Sequence, residues 1–330
     1  MKMKPSFSTP LFASILYFLV LGAGLFKDKL TGAGGNEYLS VIIVQLLIFI
    51  IPTILFCRLK GVGYASRLNV RLIAPAKFGS IIIASLVLIF GSVVIRFAQI
   101  YLFKMSAFPV SYFESYIGQN TEYNFLFAAA AFAIIPALTD ELVFRGVMLT
   151  EYNEGGYGAL NATLITSLLS SMLFFSLESF PIRFFSAVIL CMLTYATGSS
   201  LSAFVAHLAF NIYTVFGEKY IIRTLSDPSN KIISVFTFTL LFLILSVIMF
   251  SEFEHILRQM GQSGAPSPSY MLKKSDDGKT PDIAATEASE EDNASKSVMS
   301  EKNKLTIEAF FSPSFIACII IFAVAVLMAL

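Results

Sequence analysis

Charge is what this chain has least of. Only 14% of its 330 residues are Asp, Glu, Lys or Arg, against about 25% in an ordinary soluble domain. Hydrophobic residues make up 56%, 33 residues are phenylalanine, and the mean hydropathy is +0.76. A soluble fold could not cover that much apolar surface, which leaves a polytopic membrane protein. The net charge of +1 points to no nucleic-acid or acidic partner, because in such a chain the placement of charge matters more than its sum. Histidine is almost as scarce. His207 and His255 are the only two, and no His-Glu-x-x-His occurs. A protein-built zinc site needs three or four ligands, so neither a metal nor any other cofactor is expected. The three cysteines, Cys57, Cys191 and Cys318, lie in different apolar runs without paired spacing, and read as small buried hydrophobes. No internal repeat suggests a transporter built from duplicated halves.

What is present is apolar sequence in blocks. Nine runs occupy about residues 10–26, 38–57, 78–103, 124–150, 160–177, 182–197, 200–216, 232–250 and 310–330. They predict an all-α bundle of about nine membrane spans. Lys2 and Lys4 precede the first run in the manner of a signal peptide, but Lys27 and Lys29 follow it without a small-residue cleavage site, so it reads as an uncleaved span. Residues 58–77 carry Arg58, Lys60, Arg67, Arg71 and Lys77 and no acid. Short basic loops stay cytoplasmic. Counting from that loop puts the first residues inside and the end of the ninth span outside. Residues 259–304, rich in Ser, Pro, Gly, Asp, Glu and Lys, cannot bury enough surface to offset ordering and are expected to be a disordered polar linker. The expected organisation is N-terminal spans over 1–120, a functional core over 121–216, the eighth span and its flanks over 217–258, the linker over 259–304 and a last span over 305–330. The protein is expected to be multi-pass in the cell membrane, surrounded by lipid.

Two polar islands interrupt the apolar runs. The first is Asp140-Glu141-Leu142-Val143-Phe144-Arg145-Gly146, in the fourth run. A charge in a membrane span costs ~2.5–3.5 kcal/mol on insertion scales, so such groups line a protein-walled or wet cavity. Glu141 and Arg145 are four apart and can pair along one helix face, whereas Asp140 points roughly 100° away. Desolvation favours the neutral form of a carboxyl group, which is how an acid becomes a usable proton donor or acceptor; the alternative is a structural ion-pair cluster. The second island, His207-Leu208-Ala209-Phe210-Asn211, sets a ring and an amide on one face. They read as hydrogen-bond donors to an oxygen gaining negative charge, or else as a packed histidine. Ala203, Ala206 and Ala209 permit close helix approach or leave room for a ligand. Pro136, one turn before Asp140, either frees an upstream carbonyl for neighbouring polar groups or is a tolerated bend.

Asp140-Glu141-x-x-x-Arg145-Gly146, then Phe174-x-x-x-Glu178, then His207-x-x-x-Asn211 resembles the three-motif signature of the CAAX-protease and bacteriocin-processing (Abi) family of intramembrane endopeptidases. That family reads Glu-Glu-x-x-x-Arg, Phe-x-x-x-His and His-x-x-x-Asn or Asp. The resemblance covers about residues 120–216. It implies hydrolysis of a membrane-held peptide or protein substrate, prenylated or leader-bearing. Asp140 is then the water-activating acid, Glu141 and Arg145 support it, and His207 with Asn211 forms the oxyanion site. Two positions depart from the pattern. Asp140 is one methylene shorter than Glu, and Glu178 stands where the family has histidine. Either Asp140 and Glu178 share a proton as a dyad, or hydrolysis has been lost. A ruler separates the second motif from the others: Asp140 lies ~16 Å from Glu151 and His207 ~12 Å from Ser199, but Glu178 would stand ~26 Å from Asn161, near the opposite face. Glu178 then reads as an interfacial residue paired with Arg183 unless the fifth helix tilts or breaks. The expected cavity lies between the fourth, fifth and seventh helices and opens toward the cytoplasm. The alternatives to a protease are a non-catalytic relative, acting as a peptide-binding scaffold or bacteriocin-immunity protein, and a small-solute transporter. The last four residues, Leu327-Met328-Ala329-Leu330, hold no cysteine, so the chain is not expected to be a prenylation substrate itself.

Overall fold

The computed structural model describes residues 4–25, 36–61, 68–102, 124–226, 231–262 and 303–329. Arg67, Lys27, Lys29 and most of the expected linker lie outside the described residues. Among those described, every regular element is helical. In chain order they are α1 (Pro5–Leu25), α2 (Glu37–Leu59), α3 (Phe78–Tyr101), α4 (Phe125–Glu154), α5 (Ala159–Met172), α6 (Phe180–Thr197), α7 (Ser200–Ile212, continued to Ser226), α8 (Lys231–Gln262), α9 (Asn303–Phe310) and α10 (Pro313–Ala329).

Each apolar run has become a helix, with local chemistry at its ends. Asn36 caps α2 and Asn124 caps α4, each side chain accepting from two backbone N–H groups of the first turn. Such a cap satisfies donors that a helix start otherwise leaves orphaned. Gly198, at φ +72°, closes α6, and Ser199 caps α7. That φ suits a residue without Cβ, so the two helices fold back on each other within two residues.

Among the described residues seven helices are long and apolar enough to cross a membrane, and up to eight if α9 and α10, bent by 49°, form one broken span. The protein is an all-α, multi-pass membrane bundle. The fifth run is the departure. α5 has 14 residues, about 21 Å, short of a hydrocarbon core of about 30 Å. It stops at Met172 instead of continuing to 177, because Phe175 turns at φ +48°, Ser176 accepts the N–H of Phe180 at 3.1 Å, and Pro181 opens α6.

One end of the bundle is held by the basic segment. Ser199 Oγ donates to Arg71 O at 2.7 Å, Ser200 N–H to Asn69 O at 3.0 Å, and Lys77 Nζ to Thr197 O at 2.8 Å. Lys60 Nζ meets Glu151 Oε2 at 2.8 Å. The C-terminal ends of α2, α4 and α6 therefore gather on the side where α3 and α7 begin, and α4 and α6 run parallel. Positive charge gathers on that side, the one the sequence led us to expect inside. At the bundle's edge α10 packs on α1 through Ser314 Oγ to Phe7 O (2.9 Å) and a Ser14–Cys318 contact of 3.1 Å. α8 presents Ile232, Phe236, Leu243 and Val247 outward, as a lipid-facing span does.

Candidate active site

α4 is not a uniform α-helix. It passes through one π-helical stretch at Ala130–Ile134, a short α-helical piece at Ile135–Asp140, and a second π-helical stretch at Glu141–Met148. Pro136 has no N–H to donate to the preceding turn, and π turns widen a helix where function asks for it. The disturbed carbonyls are taken by side chains from neighbouring helices. Gln45 Nε2 donates to Ala131 O at 2.9 Å, and Asn211 Nδ2 donates to Ala133 O at 3.3 Å. Asn211 is thereby tied to α4 just above the charged motif.

The second π-helical stretch carries Glu141 and Arg145 inward. Arg145 Nη1 lies 3.1 Å from Glu141 Oε1, and His207 Nδ1 lies 2.8 Å from the same oxygen. Arg145 Nη2 also donates to Ala187 O on α6 at 3.2 Å. Asp140, Glu141, Arg145, His207 and Asn211 all retain 4% or less of their surface. Burial at that level makes removal of one charged partner costly, so the cluster is stiff. With Nδ1 engaged by Glu141, the His207 ring is fixed and Nε2 is its remaining polar atom. Glu141 Oε2 and Arg145 Nε are buried without a hydrogen-bond partner among the described residues.

Asp140 follows a different path from Glu141, as their angular separation requires. The charges that weigh most on it are His207 on α7, Arg183 on α6, and Glu141 and Arg145 on its own helix. Glu178 stands apart. It sits in the turn between α5 and α6, half-buried, and its backbone oxygen accepts from Gln99 Nε2 on α3. The structure thus brings Glu141, Arg145 and His207 into contact, holds Asp140 within electrostatic reach of them, ties Asn211 to α4 at Ala133 O, and places Glu178 in the turn after α5, which ends at Met172. It is α6, through Ala187 and Arg183, that supplies the wall beside the charges, in addition to the α4, α5 and α7 walls expected. Among the described residues no group of three His, Cys, Asp or Glu side chains is arranged to hold a metal ion.

Sequence reasoning passed over a second polar layer. Arg96 Nε pairs with Glu218 Oε1 at 2.8 Å, both buried, and Arg183 lies within electrostatic reach of both and of Asp140. The signal was present: Arg96 is the lone charge in the 24 residues of α3, and an ionisable group inside a span is a functional residue by default.

Residues 122–213, which contain all of this first cluster, match the family model described as Type II CAAX prenyl endopeptidase Rce1-like. This segment belongs to the CAAX-protease and Abi family. The match runs from the start of α4 through α7 and covers under a third of the chain. The match supports a CAAX-type intramembrane protease kind of function. No curated protein and no solved structure matches the chain.

Proposed function

We propose that this protein is an intramembrane endopeptidase of the cell membrane that hydrolyses a membrane-held peptide, prenylated or leader-bearing, with Asp140 as the acid that activates water. The observation that carries the reading is the single Glu141 oxygen shared by His207 Nδ1 at 2.8 Å and Arg145 Nη1 at 3.1 Å, with buried Asp140 beside it. A purely structural ion pair needs no histidine. Here the carboxylate orients an imidazole whose second nitrogen is left for a reacting group, the arrangement that general acid–base and oxyanion chemistry use.

In the proposed reaction the water oxygen bonds to the peptide carbonyl carbon while one water proton passes to Asp140. The carbonyl oxygen becomes an oxyanion, stabilised by Nε2–H of a His207 imidazolium whose Nδ1–H faces Glu141, and by an Asn211 held in place on Ala133 O. Collapse re-forms the carbonyl, breaks the C–N bond, and returns the Asp140 proton to the departing amine. The products are a carboxyl and an amino terminus, and Asp140 is again ionised. Glu141 and Arg145 stay fixed throughout as orienting groups. Glu178, at the far end of α5, takes no step in this scheme. The family match over 122–213 supports a functional core over 121–216, with the outer spans as its membrane frame.

The test is cleavage of a mass-spectrometry-read panel of farnesylated and unprenylated peptides by the protein in lipid nanodiscs, beside Asp140→Asn and Glu178→Gln. Asp140→Asn is expected to lose cleavage by roughly 10²–10⁴-fold, the usual worth of a positioned acid–base group, and Glu178→Gln to retain it within a few-fold. The position of Glu178 also suits a second reading, a non-catalytic peptide-binding scaffold. In that case Asp140→Asn and the wild type bind the same partner equally and neither cleaves.

A further inference from the structure

The site is shut. Asp140, Glu141, Arg145, His207 and Asn211 each retain 4% or less of their surface, yet a reaction between a peptide and a water needs a way in. Around the cluster, α4 is tied to α7 by the Glu141–His207 contact and to α6 by the bond from Arg145 Nη2 to Ala187 O. Parting these helices breaks buried charged contacts, which is costly. What lies over them at the basic end of the bundle is of another kind. Residues 68–74 form no helix, and together with Lys77 they cross all three.

A Cβ at Gly146 of α4 would stand 3.2 Å from Leu68 Cα, so the segment's backbone lies directly on α4 at the residue after Arg145. On α7, Ser200 Oγ donates to Leu68 O at 2.6 Å and Ser200 N–H to Asn69 O at 3.0 Å. In the α6–α7 turn, Ser199 Oγ donates to Arg71 O at 2.7 Å and accepts from Arg71 N–H at 3.1 Å. Lys77 Nζ ends the crossing on Thr197 O of α6 at 2.8 Å. Leu68 therefore spans the seam between α4 and α7 that Glu141 and His207 join farther in, His207 lying ~10 Å along α7 from Ser200. The fastening is polar and shallow. Val70, Arg71 and Leu72 turn outward, Leu72 with 96% of its surface exposed, while Leu68 and Ile73 are half-buried against the helices. Few buried apolar contacts and backbone bonds near the surface are the marks of a segment that opens locally. Asn69 sits at φ +48°, a left-handed conformation that asparagine tolerates and a β-branched residue does not.

We propose that residues 68–74 are an autoinhibitory strap: fastened to Gly146, Ser199 and Ser200, it closes the site from the basic end of the bundle, and an extended peptide reaches Asp140 and His207 when the strap lifts. This rests on the reading of the site as a peptidase. No strap atom takes part in hydrolysis, so the strap acts on access. The apparent affinity for peptide is the intrinsic affinity scaled by the fraction of protein whose strap is lifted. Weakening a fastening raises that fraction, lowers KM and leaves kcat unchanged.

The experiment uses the full chain in nanodiscs of phosphatidylethanolamine and phosphatidylglycerol, as wild type, Ser200→Ala, Asn69→Val and Asp140→Asn. Two quantities are read: steady-state cleavage of the farnesylated and unprenylated peptide panel, and hydrogen–deuterium exchange of the backbone amides of residues 69–74. Ser200→Ala removes the hydroxyl fastening from the α7 side, and Asn69→Val strains the strap without altering a helix, so either decides the matter if the other does not fold. Both are expected to speed exchange and lower KM by roughly 2–10-fold, the worth of one hydrogen bond, with kcat unchanged. Farnesylated peptide added to Asp140→Asn, which holds it uncleaved, is expected to speed exchange of the same amides. Faster exchange without a fall in KM, exchange that neither variant alters, or strap amides that peptide leaves as slow as before would overturn the strap and leave the peptidase reading standing. A silent wild type beside strap variants that cleave would support both. No cleavage by the wild type or by either strap variant would overturn both.

Discussion

The stiffness of the Glu141–Arg145–His207 cluster can be measured without any substrate. Both side chains of the ion pair expose only 2% of their surface, so neither charge has water to fall back on. Arginine cannot shed its charge, but a carboxylate can take up a proton. The two single replacements should therefore differ. Glu141→Met leaves a buried guanidinium with only the neutral Ala187 carbonyl and the Cys191 thiol as hydrogen-bond partners, and is expected to cost ~3–5 kcal/mol. Arg145→Met leaves Glu141 with His207 at 2.8 Å, a partner that can share a proton, and should cost less, about 2–3 kcal/mol. The double variant removes both charges together. Since replacing a whole buried pair with apolar side chains is often close to neutral, it should cost less than Glu141→Met alone, giving a coupling of at least ~2 kcal/mol. The assay is thermal unfolding of the four proteins in one detergent, followed by size-exclusion recovery and tryptic resistance. Additive losses in the double variant would refute the claim that each charge is there for the other.

Four further outcomes follow from the geometry. A Cβ on Gly146 would lie 3.2 Å from the Leu68 backbone, so Gly146→Val should push the basic segment off α4 and lower stability by ~1–3 kcal/mol, read as a drop in Tm. Lys60→Met removes the 2.8 Å ion pair that ties α2 to the buried Glu151 of α4 and should loosen those two helix ends by ~1–2 kcal/mol, read as faster proteolysis there. Tyr195→Phe removes the hydrogen bond to Asn153 Oδ1 and should cost about 1 kcal/mol, again as a Tm shift. Glu308 beside Lys4 holds that ammonium above its usual pKa, so its contribution is present below the lysine range and fades as pH rises through it. The pair is solvent-exposed, and salt should erase the Tm difference between wild type and Lys4→Ala.

The fold was legible because a bilayer tolerates so few structures. Lipid leaves helices as the way to satisfy the backbone of an apolar run, and the runs did become helices. The end of α5 was not legible, since Leu173 through Leu177 are as apolar as a helix interior; the turn is made by Phe175 in a left-handed conformation and by serine hydroxyls. Charge in a span marked Asp140, Glu141 and Arg145, and the i, i+4 rule anticipated the Glu141–Arg145 pair. It could not say that His207 would choose the same carboxylate oxygen, because that depends on how α7 lies across α4. The π-helical stretches escaped notice as well. They arise where Pro136 and the packing of Gln45 and Asn211 disturb the helix, and no local propensity encodes them. The stacking of Arg183 on Phe174, with the guanidinium carbon 3.9 Å from the ring centroid, was not legible either, since it depends on the turn that ends α5.

The most direct test of the account is to run the cleavage reaction in water enriched in oxygen-18. Hydrolysis through a water activated at Asp140 predicts that the new carboxyl terminus of the wild-type product carries one labelled oxygen from solvent, and that Asp140→Asn, folded and in the same nanodiscs, forms it roughly 10²–10⁴-fold more slowly. Labelled product formed equally well by Asp140→Asn would contradict the assignment of the acid, and a wild-type protein that holds its peptide without ever incorporating label would contradict catalysis itself.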